Sequence, residues 1–244
     1  MSERHWPRPA LATTALALLG TVAVTGCGNS ARTSHASGTE TAGAAAATGH
    51  STYTASQLMS ALLARVSGQR PAAAVEAGDY GTLPDVQTSK QTMKGVKVRP
   101  AKCAEVTAAG FNSVSFSHAP AAVVTFRVGR DGVSEVLVSA TPQLAATALS
   151  DRLPAGCAHY KATVDGKTFS YSVREATLSG VADQARALNV RAAGYAEVNV
   201  WSVVYRGGGV VGAVTMVGPD ASEQGVKQLA RDAYAYAGQS LPQV

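Results

Sequence analysis

The chain is short of the residues and patterns by which active sites are usually recognised. Its 244 residues include three cysteines, five histidines, two tryptophans and four phenylalanines. Neither Cys103 nor Cys157 has a second cysteine or histidine at zinc-ligand spacing; His159 follows Cys157 by two residues, and one neighbour does not make a tetrahedral site. There is no G-x-S-x-G elbow, no H-E-x-x-H and no P-loop pattern, which removes the common hydrolase, zincin and nucleotide-binding signatures. His118 stands near Ser115 and Ser117, but a triad needs three groups placed by the fold. RGGGVVG, residues 206–212, reads as a hairpin turn and not as a phosphate cradle. These absences point to a protein that binds and does not catalyse, with neither cofactor nor metal.

Long apolar runs are scarce as well. The one uncharged run, residues 10–24, is about 15 residues long, below the ~20 that a membrane span needs. It has a basic start (Arg4, His5, Arg8) and ends in small residues, the arrangement of a secretory signal. Val24-Thr25-Gly26-Cys27 resembles the lipobox of bacterial lipoproteins, in which diacylglycerol is placed on the cysteine sulfur and the peptide is then cut before it. The expected product is held on the extracytoplasmic face of the cell membrane by acyl chains of the palmitate class. The alternative is an ordinary secreted protein that happens to have a cysteine there.

Cysteine arithmetic favours the lipid. An exported protein with three cysteines must leave one unpaired, pair it between chains or modify it. With Cys27 lipidated, Cys103 and Cys157 remain as one pair, expected to be a disulfide in an oxidising compartment. It would close a loop of about 55 residues, for which loss of unfolded-chain entropy gives roughly 4 kcal/mol as an upper figure.

Residues 29–51 lack large apolar side chains and are almost entirely Ala, Gly, Ser and Thr, too little to offset the entropy of ordering. The expected organisation is a signal peptide at residues 1–26, a lipid anchor and tether at 27–52, and one folded domain at 53–244. Acids are missing from one stretch of that domain: Lys90, Lys94, Lys97, Arg99 and Lys102 put five positive charges into thirteen residues. A basic patch on a tethered protein suits anionic lipid headgroups or acidic wall polymers, whereas nucleic acid is not expected in this compartment.

Apolar periodicity predicts a first helix over residues 56–66 capped by Ser56, irregular chain over 71–100, and one or two helical turns at PAKCAEV that present Cys103 inward. Three hairpins are read from Asp131-Gly132, Asp165-Gly166 and Gly207-Gly208-Gly209, with strands to either side. Further helices are expected over residues 142–153, 181–189 and 222–237, the last capped by Ser222. The fold class that follows is α+β, with an antiparallel sheet of about six strands built from hairpins and packed with an N-terminal and a C-terminal helix.

The order lipobox, tether, helix, VRPAKCAEV, LPAGCAHY, then YAEVNVWSVVYRGGGVVGAVTMVGPDA leading into a final helix resembles actinobacterial lipoproteins of uncharacterised function that carry a sensor-like domain. Their organisation is similar to that of the extracellular sensor domain of the mycobacterial kinase PknH. The LpqN-type lipoproteins, with a fold like that of PsbP, are a second relative. The PknH-type domain has two disulfides where this chain can have one, and no kinase or transmembrane helix precedes the domain here. What the resemblance implies is extracytoplasmic binding of a ligand or partner; it transfers no catalytic residue.

Alternation in the long strand places Tyr195, Glu197, Asn199, Trp201, Val203 and Tyr205 on one side and Ala196, Val198, Val200, Ser202 and Val204 on the other. Rings with polar ends suit a cleft for a small amphipathic ligand, so Tyr195, Glu197, Asn199, Trp201 and Tyr205 are the candidate ligand contacts. The second, aliphatic set is expected to lie under a helix. Two other readings remain open at this point: an envelope hydrolase whose site has no recognisable motif, and a structural or interaction lipoprotein.

Overall fold

The computed structural model describes residues 53–107, 116–150, 152–193 and 198–242. Cys27 and the expected tether, residues 27–52, lie outside them, as do Tyr195 and Glu197. The fold is α+β. One open antiparallel sheet of nine strands carries four α-helices and two 3-10 segments, not the six strands expected.

The expected hairpins form six of the strands: β3 (Pro120–Val128) with β4 (Asp131–Ser139), β5 (His159–Val164) with β6 (Lys167–Leu178), and β8 (Val198–Gly207) with β9 (Val210–Val217). Asp165-Gly166 and Gly208-Gly209 are two-residue turns with positive φ at both positions, the geometry that matches the twist of the flanking strands. The first hairpin turns two residues earlier than its sequence suggests. Val128 pairs with Asp131, so Gly129 and Arg130 make the turn. Asp131 is buried inside β4, accepting the Asp220 N–H at 3.1 Å.

Three strands complete the sheet. β1 (Glu76–Asp79) and β2 (Lys97–Arg99) are short edge strands in the region expected to be irregular. β7 (Gln184–Ala193) replaces the helix expected near residues 181–189. The order is β1-β3-β4-β9-β8-β7-β6-β5-β2, antiparallel throughout.

The front of the sheet is covered by α1 (Ala55–Ala61) and α4 (Glu223–Ser240). Thr54 and Gln57 form a reciprocal capping box, so the cap of α1 lies two positions before the expected Ser56. Helical geometry stops at Ala61, yet Leu62, Leu63 and Val66 are still buried against the sheet. Ser222 caps α4 as expected, and Val226, Ala230, Ala233 and Ala237 make its buried stripe. Small residues there let the helix lie close to the strands, and Tyr236 is exposed.

The back is covered by α3 (Pro142–Ser150) and by the segment leading into α2 (Pro84–Lys94), where Tyr80, Leu83, Val86 and Phe116 pack on Ala121, Val123, Val138 and Val211. Pro84, within the stretch expected to be irregular, occupies a first helical position, where its missing N–H has no partner to lose. At the β5–β2 end the back is closed by a 3-10 segment, Ala101–Thr107, holding Cys103 against Cys157, Tyr160, Ala162 and Val173.

Candidate functional site

The Cys103–Cys157 disulfide forms as expected, with a Cα–Cα distance of 5.4 Å and both residues fully buried. Tyr160 and Tyr171 stack beside it, ring centroids 4.9 Å apart. Burial pushes both phenols up, Tyr160 with a further contribution from neighbouring Tyr171. This is a closed structural cluster and offers no exposed thiol.

The five basic residues are all exposed, but the fold separates them. Lys90 and Lys94 lie on α2, Lys102 on the 3-10 segment, and only Lys97 and Arg99 share a sheet face. Val98 points back into the disulfide cluster, so the residues on either side of it point to the front. The Lys102 ammonium instead lies beside Gly156, next to the disulfide.

The expected cleft on β8 is core. Trp201 is 4% exposed and Tyr205 fully buried, both in the cluster under α1 and α4. The physical reason is position: β8 is the fifth of nine strands, so both of its faces are covered, the odd-numbered residues by α4 and Val204 by the α3 cluster. The Tyr205 ring lies flat over Gly212, where any Cβ would collide with it, and packs edge-on to Tyr234 at 5.9 Å. Asn199 serves the framework: its amide donates to the Ala221 carbonyl at 2.6 Å, and its oxygen accepts from Asn189 at 2.8 Å, tying the start of α4 to the sheet. Arg174 closes the edge of this cluster. Its guanidinium sits 5.5 Å from the centre of the Trp201 ring and pairs with Glu223 at 3.3 Å.

Under α1 lies a group that sequence reading missed. Glu135 is 1% exposed; Oε2 accepts the Leu63 N–H at 2.8 Å, while Oε1 and the Tyr205 hydroxyl have no partner. Burial raises the Glu135 carboxyl to about 7, opposed by the Leu63 hydrogen bond. Tyr205 is raised far above the ordinary range by burial, then by Glu135 and Tyr234. The signal was available: Glu135 is in phase with Val133 and Leu137, so whichever face those valine and leucine side chains bury must bury the acid too. Sealed from solvent, it has no path to a substrate.

Among the described residues no three His, Cys, Asp or Glu side chains converge on a metal position. His118 is 94% exposed and lies 4.0 Å from Asp79, and Ser115 falls outside the described residues. A depression of about 210 Å³ beside the β8–β9 turn, lined by Ala140, Pro142, Ala145, Asp183 and Arg206, is smaller than the ~300 Å³ at which small-molecule sites begin.

No family model matches the chain, and no curated protein matches it. Two solved structures align with the chain. The extracellular domain of PknH from Mycobacterium tuberculosis aligns with 78% of this chain and 100% of that domain, with a TM-score of 0.51 and 14% identity. An uncharacterised protein from Mycobacterium smegmatis aligns with 61% of this chain and 77% of its own, with a TM-score of 0.38 and 19% identity. At 14% identity the likeness to the PknH domain is one of fold.

Proposed function

We propose that this chain is a lipid-anchored extracytoplasmic lipoprotein with a sensor-like, non-catalytic binding domain. In this reading residues 1–26 are removed, Cys27 carries diacylglycerol, residues 27–52 are the tether, and residues 53–244 form the domain that meets an envelope component. The observation that carries it is the fully buried Cys103–Cys157 disulfide, because such a bond persists in an oxidising compartment. The fold likeness to an extracellular domain supports the same location. Binding is assigned to the sheet face that carries the exposed Lys97 and Arg99, since the aromatic strand face is occupied by α4.

Intact mass spectrometry of the protein from its native membrane fraction tests the proposal. The expected species begins at Cys27, carries a diacylglyceryl mass and lacks the two hydrogens of a reduced Cys103–Cys157 pair. A species that retains residues 1–26 with a free Cys27 thiol would overturn the anchor.

A further inference from the structure

The strand register assembles a surface that no run of sequence contains. Residues opposite one another in an antiparallel pair project from the same face. Arg99 is opposite Lys161, which is opposite Ser170. Lys97 is opposite Thr163, and Thr163 opposite Thr168. In the next row His159 is opposite Ser172, and Ser172 opposite Arg191. All of these belong to the front face, the one that carries α1 and α4 further along the sheet. The residues between them, Val98, Tyr160, Ala162, Tyr171 and Val190, turn back into the disulfide cluster.

Lys97, Arg99, Lys161 and Arg191 are exposed and make no ion pair with another described residue. Among the described front-face residues of β2, β5, β7 and the first half of β6 there is no Asp or Glu. With neighbouring strands ~4.8 Å apart and alternate residues ~6.7 Å apart, the four cations mark a diagonal track of about 20 Å. Thr163, Thr168, Ser170 and Ser172 place hydroxyls along it, Thr163 and Thr168 hydrogen-bonded to each other at 2.9 Å. Repeated cations with hydroxyls between them match a linear chain of repeated anions whose oxygens accept from both.

The geometry points to the uncovered part of this front face, β2 and β5 with the first half of β6 and the end of β7 at Arg191, as a docking track for a linear phosphate polymer. This deepens the envelope-binding reading and, in choosing between polymer and membrane, rests on it. The described chain begins at Tyr53, whose N–H donates to Ser139 and whose hydroxyl donates to the Gly208 carbonyl, at the β8–β9 turn. Arg191 and Lys161 lie toward the opposite end of the strands, roughly 35 Å away along the sheet. In the proposed tether reading, a coil of the residues between Cys27 and Tyr53 would have a root-mean-square length of about 28 Å. In that reading the attachment point and the track lie at opposite ends of the strands, which favours polymers beyond the membrane over the surface the domain hangs from.

The test uses the full chain in zwitterionic detergent, with labelled long-chain inorganic polyphosphate as the probe and anisotropy as the readout. With four phosphates neutralised, raising salt from about 50 to about 200 mM should weaken binding on the order of 50-fold. The variant Lys97→Gln/Arg99→Gln/Lys161→Gln/Arg191→Gln should lose at least about tenfold in affinity at low salt and most of that salt dependence. Lys90→Gln/Lys94→Gln/Lys227→Gln/Arg231→Gln, with equal net charge, should lose less than about threefold, its side chains lying off the track. Equal losses in the two variants would reduce the effect to net charge and overturn the track, as would absence of binding by the unsubstituted chain. Tighter binding to phosphatidylglycerol vesicles than to polyphosphate at equal charge would replace polymer with membrane. None of these readouts depends on lipid at Cys27, so a failure here is separable from a failure of the anchor.

Discussion

The two halves of the sheet are stabilised in different ways. β3, β4, β9 and β8 are covered on both faces, by α1 and α4 in front and by the α3 and Phe116 cluster behind. Their sequences show it as nearly unbroken apolar runs, such as VVGAVTMV, in which polar groups survive where they find partners: Ser202 and Thr215 bond each other at 2.9 Å. β7, β6, β5 and β2 are covered mainly on the back, and toward their outer edge they alternate, as in KVR and HYKATV, with cations outward and Val, Tyr and Ala inward. One-sided burial removes less apolar surface from water, and there the chain adds a covalent link across the 54 residues between Cys103 and Cys157. Hydrophobic burial holds one half, and a cross-link with a single apolar face holds the other.

The contrast is broken most severely from the two-sided half. Leu137 is fully buried on β4 under α1. Leu137→Ala should cost about 4 kcal/mol by removing transfer energy and leaving a cavity between sheet and helix. Urea unfolding should show the whole cooperative transition moving, and a cost below about 1 kcal/mol would mean that this half does not dominate. Smaller and more local is the replacement Cys103→Ala/Cys157→Ala, expected to cost about 3 kcal/mol. Hydrogen exchange should then rise first in β2 and β5 while β4, β8 and β9 stay protected. Uniform loss of protection across all nine strands would show that the halves do not differ.

That contrast also explains which parts of the fold could be read in advance. Turns with local chemistry were legible: Asp165-Gly166 and Gly208-Gly209 need positive φ, and Ser222 supplies a cap oxygen to the Gly225 N–H. β7 was not, because its front-face residues Ala185 and Ala187 are small residues under a helix and carry little hydrophobic signal, while Ala and Leu together favour a helix on paper. β1 and β2, of four and three residues, are too short to display alternation. On β8 the described residues do alternate between the two faces, but that neither face meets solvent depends on helices distant in sequence. The charge run was read as one patch because sequence shows neighbours along the chain; Lys161 and Arg191 join Lys97 and Arg99 through register alone.

The smallest effect sharpens the account of the two-sided half, by asking what a charge costs inside it. Glu135 is held at about 7, above its ordinary value, so between about 4.5 and 7 the folded chain binds a proton that the unfolded chain has released. Stability contributed by the neutral acid is complete below about 4.5, declines as pH rises through this window, and is constant above it, a loss on the order of 2–3 kcal/mol. Glu76 and Asp85, also raised by burial, tilt the curve the same way, so the informative quantity is a difference between two chains. Glu135→Gln keeps the acceptor for Leu63 and cannot ionise. Denaturant unfolding at pH 5 and pH 8 should therefore show a smaller loss in the variant by on the order of 2 kcal/mol. Equal losses in both chains would mean that Glu135 reaches water or a partner when it ionises, and that the core under α1 is less sealed than the core under α4.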